Sequence, residues 1–193
     1  MRLRANDLTA IRGGRTVFSG ISFAVEPGEL LAVTGVNGSG KSTLLRLIAG
    51  LLTAAAGAIE LDPVGESSVH YLGHLDGLKT AFSVRDNLAF WQRLWNGGPV
   101  DAALDAVGLA PLADLPVSVL SAGQKRRVAI ARLLLATRPL WLLDEPATGL
   151  DAAAESTLGA IIRQHLAAGG MAVVATHREL PVKATATLAL GAA

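Results

Sequence analysis

The stretch Gly35-Val-Asn-Gly-Ser-Gly-Lys-Ser-Thr43 constrains this chain more than any other, because it fits G-x-x-x-x-G-K-[ST] and its flanks fit as well. Before it, Glu29–Thr34 is a short apolar run that reads as a buried parallel strand. After it, from Ser42 on, Leu44, Leu45, Leu47, Ile48 and Leu51 make a broad helical apolar face. Glycines in such a loop let the backbone curl so that successive N–H groups point at an anion, and the helix start adds its positive dipole end. Gly35, Asn37, Gly38, Ser39, Gly40, Lys41, Ser42 and Thr43 are therefore candidate phosphate-binding residues. Lys41 is placed to reach the β- and γ-phosphates of a nucleoside triphosphate, and Ser42 to ligate Mg²⁺.

The 193 residues suffice for one domain with a sizeable core or a domain with a small inserted lobe, and exclude tandem catalytic domains. Apolar residues make up 51% and mean hydropathy is +0.43, which raises the question of a membrane span. The longest largely apolar run, Leu47–Ile59, has 13 residues, where a spanning helix needs about 20. No span is expected, and Met1–Asp7 has no apolar run behind it to suggest a signal peptide. A net charge of +1 gives no electrostatic case for nucleic acid as a partner, and the absence of cysteine rules out disulfides and thiolate metal sites.

Phe18–Val25 partly alternates and reads as a strand. Ser83-Val-Arg-Asp86 resembles a capping box, followed by Val84, Leu88, Trp91 and Trp95 at helical spacing. Asp101–Val107 reads as a short helix, and residues 71–118 as a helical insertion. Beyond it come a helix over about 124–135, a strand at Leu140–Leu143, a helix over about 152–167 and a strand at Met171–Ala175. Strand–helix alternation on both sides of the insertion predicts an α/β core with a largely parallel sheet.

Leu140-Trp-Leu-Leu-Asp-Glu145 is an apolar strand ending in two carboxylates, the place for an Mg²⁺-associated Asp144 and a general base, Glu145, on the attacking water. Leu120-Ser-Ala-Gly-Gln124 opens a helix and reads either as a second anion site or as a plain N-cap. Lys125-Arg126-Arg127 reads as a solvated helix face.

Together these three motifs resemble the ATP-binding cassette (ABC) ATPases, whose signature loop is usually Leu-Ser-Gly-Gly-Gln. The resemblance covers nearly the whole chain. It implies a P-loop NTPase fold of ABC type, one domain over 1–193, with a catalytic core at 1–70 and 119–193 and a helical subdomain at 71–118. It implies hydrolysis of ATP with Mg²⁺ by a homodimer of cassettes, in which Ser121, Gly123 and Gln124 of one copy close over ATP held by the other. It places the switch histidine at His177, a further nucleotide and dimer contact at Asp151 in Thr148-Gly-Leu-Asp151, and catalysis on Lys41, Glu145 and His177.

Three positions depart from the pattern. Ala122 stands where Gly is usual, costly only if the backbone there needs positive φ. His74 stands in the place of a Gln; Mg²⁺ prefers oxygen ligands, so His74 acts through water or senses a partner, or is an ordinary loop residue. Arg12 stands where an aromatic often stacks on adenine; its guanidinium can stack too, or it is a solvated turn residue.

Finer phrases, Tyr71-Leu-Gly-His74, Gly77-Leu-Lys-Thr80 and Pro139-Leu-Trp-Leu-Leu-Asp-Glu-Pro146, are similar to the ATP-binding subunits of the haem exporter of bacterial cytochrome c maturation. That implies integral membrane subunits as partners at the cytoplasmic face of the inner membrane, and indirect coupling to a haem chaperone. The alternatives are a soluble ABC ATPase serving iron–sulfur assembly, or the ATPase of another small exporter. Leu88, Phe90, Trp91, Leu94 and Trp95 form either a groove for a partner's helix or core packing.

Overall fold

The computed structural model describes residues 2–62 and 68–191. They fall into two compact units: Met1–Gly73 with Arg138–Glu145 and Ile162–Ala193, and His74–Thr137 with Pro146–Ile161. The second unit is wider than the 71–118 expected from the sequence. The helix after Ser121 packs with the helices before it, so periodicity alone did not show where the insertion closes.

The first unit holds two sheets. Strands β1 (Arg2–Arg12), β2 (Arg15–Val25) and β4 (Ala56–Asp62) form an antiparallel sheet in the order β2-β1-β4. Strands β3 (Leu30–Thr34), β5 (Val69–Leu72), β6 (Leu140–Asp144), β7 (Met171–Ala175) and β8 (Ala186–Ala189) form a parallel sheet in the order β5-β6-β7-β3-β8. Every residue of β6 and β7 is buried, which is why these strands read as continuous apolar runs without alternation.

Helix α1 (Lys41–Ile48) joins both sheets in one apolar cluster. Leu44, Leu45, Leu47 and Ile48 meet Leu3, Leu8 and Phe18 of the antiparallel sheet and Leu31, Val33, Leu140, Leu142 and Val173 of the parallel one. Fully burying side chains of this size is worth about 1.5–3 kcal/mol each, so the start of α1 is held by its own far end.

Alternate β6 residues point away from that cluster. Trp141 stacks on His165 of helix α5 (Ala152–Ala167), with ring centroids 3.9 Å apart and planes 7° apart. His165 Nε2 donates to the Met171 carbonyl at 3.1 Å, and a Cβ at Gly170 would overlap the imidazole ring.

The second unit is helical. Helix α2 (Val84–Trp95) is capped by Ser83, whose hydroxyl accepts from the Asp86 N–H at 3.0 Å. Helix α3 (Val100–Ala106) is tied to α2 by Arg85, which pairs with Asp101. Helix α4 (Ala122–Ala131) continues as a 3₁₀ turn over Arg132–Leu134. On α2, Leu88 is buried, Trp91 and Trp95 are half-buried and in contact with their rings tilted by 35°, and Phe90 and Leu94 are exposed. Core packing and an open apolar face thus both occur on this helix. Arg132, which burial holds below the ordinary arginine value, lies 5.2 Å over the Trp91 ring.

Burial lowers the His165 pKa below 6.5, against the opposing effect of backbone hydrogen bonds. The folded ring stays neutral at a pH where the unfolded chain takes up a proton. Stability is therefore full above pH of about 6.5 and declines as pH falls through that value toward the lower folded pKa. Urea unfolding of the wild type and His165→Phe across pH 5 to 8 should show this decline (~pH 6.5 downward) only in the wild type; equal slopes in both would refute the assignment.

Candidate active site

Neighbouring strands β6, β7 and β3 deliver three loops to one edge of the parallel sheet, their carboxyl ends, where α/β folds place ligands. The register is explicit: Asp144 pairs with Ala175, the Glu145 N–H donates to the Ala175 carbonyl at 2.9 Å, and the Thr176 N–H to the Val33 carbonyl at 3.0 Å.

The loop after β3 spans Gly35–Gly40. Gly35 and Gly40 cannot be replaced without collision. A Cβ at Gly35 would strike the Leu190 carbonyl, and one at Gly40 would come within 2.6 Å of Val17 and 2.9 Å of the Phe18 ring. Gly40 also has φ 102°, the left-handed conformation that lets it start α1. Gly38 has φ +85°; it and Asn37 are exposed, and Ser42 and Thr43 are half-buried in the first turn of α1.

Lys41 is 7% exposed, and its ammonium donates to the Gly35 carbonyl at 2.7 Å and the Val36 carbonyl at 3.1 Å. The cation thus lies across the mouth of the loop. The buried Ser39 hydroxyl has no hydrogen-bond partner among the described residues. A buried polar atom without a partner costs about 1–3 kcal/mol. A tight glycine loop with a cation across its mouth and an unsatisfied hydroxyl can cradle an anion.

Asp144 is 2% exposed at the tip of β6. The next residue, Glu145, has φ 49° although it carries a side chain and precedes a proline. Its Oε1 lies 2.8 Å from Nδ1 of His177, which is exposed just past β7. The sequence positions Lys41, Asp144, Glu145 and His177 thus lie at the ends of adjacent strands in one unit. Arg12 is exposed at the last β1 position, beside the Gly13-Gly14 turn and opposite Arg15.

The other candidates belong to the helical unit. Ser121 and Gln124 form a full capping box at the start of α4: the Gln124 N–H donates to Ser121 Oγ at 3.2 Å and the Ser121 N–H to Gln124 Oε1 at 2.8 Å. Ala122 is the first helical residue and has no positive φ, so its methyl is not strained. Gly123 is required for a different reason, because a Cβ there would meet the Gly149 carbonyl at 2.6 Å. Asp151 caps α5 by accepting from the Ala154 N–H at 2.8 Å. His74 is exposed.

A family model for the ABC transporter matches residues 18–148. The chain belongs to the ABC transporter family. It is 51% identical to the cytochrome c biogenesis ATP-binding export protein CcmA of Chelativorans sp. (strain BNC1), over 100% of this chain and 99% of that one. It is 52% identical to the CcmA protein of Mesorhizobium japonicum over the full length of both. A Pyrococcus furiosus structure described as an ABC transporter ATP-binding protein superposes with a TM-score of 0.87 at 25% identity, covering 98% of each chain. The cassette is therefore an ATPase. Ser42 and Asp144 are hard oxygen donors of the kind Mg²⁺ takes alongside phosphate and water oxygens, so the donor set fits that ion.

One expectation fails. Arg126 is not part of a solvated face: it is 4% exposed, and its Nη1 donates to Asp76 at 2.9 Å. A run of three cations carries no signal of which one turns inward; only the phase of the helix decides it.

The glycine analysis separates two neighbours. Gly123→Ala should destabilise by about 1–3 kcal/mol, since its methyl meets backbone. Ala122→Gly should cost about 0.5–1 kcal/mol through backbone entropy alone. Urea titration of both measures this, and the reverse ranking would contradict it.

Proposed function

We propose that this chain is the ATP-hydrolysing subunit of a bacterial export complex serving cytochrome c maturation. It works as a pair of cassettes bound to integral membrane subunits at the cytoplasmic face of the inner membrane. Full-length identity of 51–52% to proteins of that name supports the complex. The observation that carries the chemistry is the 2.8 Å contact of His177 with Glu145, beside the phosphate loop's strand. Among the described residues no helix is long and apolar enough to cross a membrane. The exposed Phe90 and Leu94 offer those partners an apolar face.

In this reading Lys41 turns from the loop carbonyls to the β- and γ-phosphates, while backbone amides of Gly38–Thr43 and the Ser39 hydroxyl hold the remaining oxygens. Ser42 and Asp144 hold Mg²⁺, which neutralises phosphate charge. Glu145 draws the proton from the attacking water, and His177 steadies the γ-phosphate. The Glu145 carboxylate can only accept, so His177 Nδ1 carries the proton in the contact seen here.

The whole 1–193 chain acts as one ABC ATPase domain, and Ser121, Gly123 and Gln124 of the second copy complete each site, with Asp151 at the dimer contact. Arg12 stacks on the adenine. His74 acts through water or a partner contact rather than as a metal ligand. Coupling to the haem chaperone is indirect, through the membrane subunits.

Glu145→Gln should lower ATP turnover by about 10²–10⁴-fold and accumulate an ATP-bound dimer on gel filtration. A rate near that of the wild type would remove Glu145 as the base. Affinity capture from solubilised membranes should recover cytochrome-maturation membrane proteins; recovery of soluble iron–sulfur scaffold proteins instead would overturn the assignment of the complex.

A further inference from the structure

Glu145 is one of only three non-glycine residues with positive φ among those described, and it precedes a proline. A side chain keeps that conformation only where its surroundings over-determine it. On the N-terminal side they do: the Glu145 N–H is bonded to Ala175 and its carboxylate to His177. On the C-terminal side Pro146 has no N–H to offer, so its carbonyl is the only hydrogen-bonding group of its backbone.

Arg126 takes that carbonyl. Its Nε donates to the Pro146 oxygen at 3.1 Å, and its Nη1 donates to Asp76 Oδ1 at 2.9 Å. The guanidinium is a planar fork whose donors point in fixed, different directions, and here they engage two chain segments at once. Asp76 lies two residues after His74, and its own carbonyl accepts from Arg132 Nη1 at 3.2 Å. Further along that loop, Asn87 Nδ2 donates to the carbonyls of Lys79 at 3.0 Å and Ser83 at 2.8 Å. The loop is thus tied to α2 and α4, and through Arg126 to the carbonyl of Pro146, the residue that follows Glu145.

We propose that Arg126 is a positioning residue for hydrolysis: by fixing the Pro146 carbonyl it holds Glu145 in its left-handed turn, and Asp76 holds Arg126 in place. This rests on Glu145 being the base. A purely structural role makes a different prediction: breaking the pair would reduce the folded fraction and leave kcat per ATP-binding site unchanged.

The test is steady-state ATPase kinetics of the full chain, in the preparation where the wild type turns over. Rates are taken per ATP-binding site, counted by nucleotide titration. The variants are Arg126→Met, Arg126→Lys and Asp76→Asn, with Glu145→Gln as control. Arg126→Met should lower kcat about tenfold or more while KM for ATP stays within about threefold. Arg126→Lys, which keeps a charge for Asp76 but lacks the fork, should recover part of the loss, and Asp76→Asn should show a smaller fall of the same kind. Wild-type kcat per site in Arg126→Lys and Asp76→Asn overturns the proposal, even if Arg126→Met does not fold. If Glu145→Gln keeps the wild-type rate, the base assignment itself falls, whatever the Arg126 variants do.

Discussion

The Lys41 ammonium, resting on the Gly35 and Val36 carbonyls, is the interaction on which the rest of the molecule depends. It ties the start of α1 back to the first two residues of the loop, and it holds a nearly buried cation there. The loop can be that tight only because Gly35 and Gly40 present no side chain to Leu190, Val17 and Phe18. A tight loop in turn needs a fixed helix behind it. The cluster of Leu44, Leu45, Leu47 and Ile48 with residues of both sheets supplies this. Core packing and the proposed phosphate loop form one mechanical unit in this part of the chain.

The same economy governs the carboxylates. Strands β6 and β7 are buried along their whole length, so their ends are fixed by apolar packing and the polar residues appear only where the strands stop. Asp144, Glu145 and His177 are three such residues. The left-handed turn at Glu145 is a local cost, of order 1–3 kcal/mol for a non-glycine residue. Its persistence is explained by the bonds on both sides of it rather than by any preference of the residue itself.

Much of this was legible in the sequence. The loop between β3 and α1 was legible from letters and flanks together, and the buried parallel strands β3, β6 and β7 from their unbroken apolar runs. The start of the chain reads as strands, but the bounds of β1 were not legible: Asp7 at φ 48° breaks the alternation between Ala5 and Leu8 with an irregular register, so no period of two survives. Strands β5 and β8, with four residues each, are too short to show any period. In the signature segment the worry fell on Ala122, whereas the constraint lies on Gly123, set by a carbonyl 26 residues away in the chain. Arg126 was hidden for a similar reason, because its partners Asp76 and Pro146 are remote in sequence.

The central claim is that the Gly35–Thr43 loop grips nucleotide through the β- and γ-phosphates. Calorimetric titration of the full chain with ATP and with AMP, in wild type and Lys41→Ala, tests it most directly. The account predicts that ATP binds at least about 100-fold more tightly than AMP and that Lys41→Ala removes most of that difference. Equal affinity for ATP and AMP, or an unchanged preference in Lys41→Ala, would contradict it.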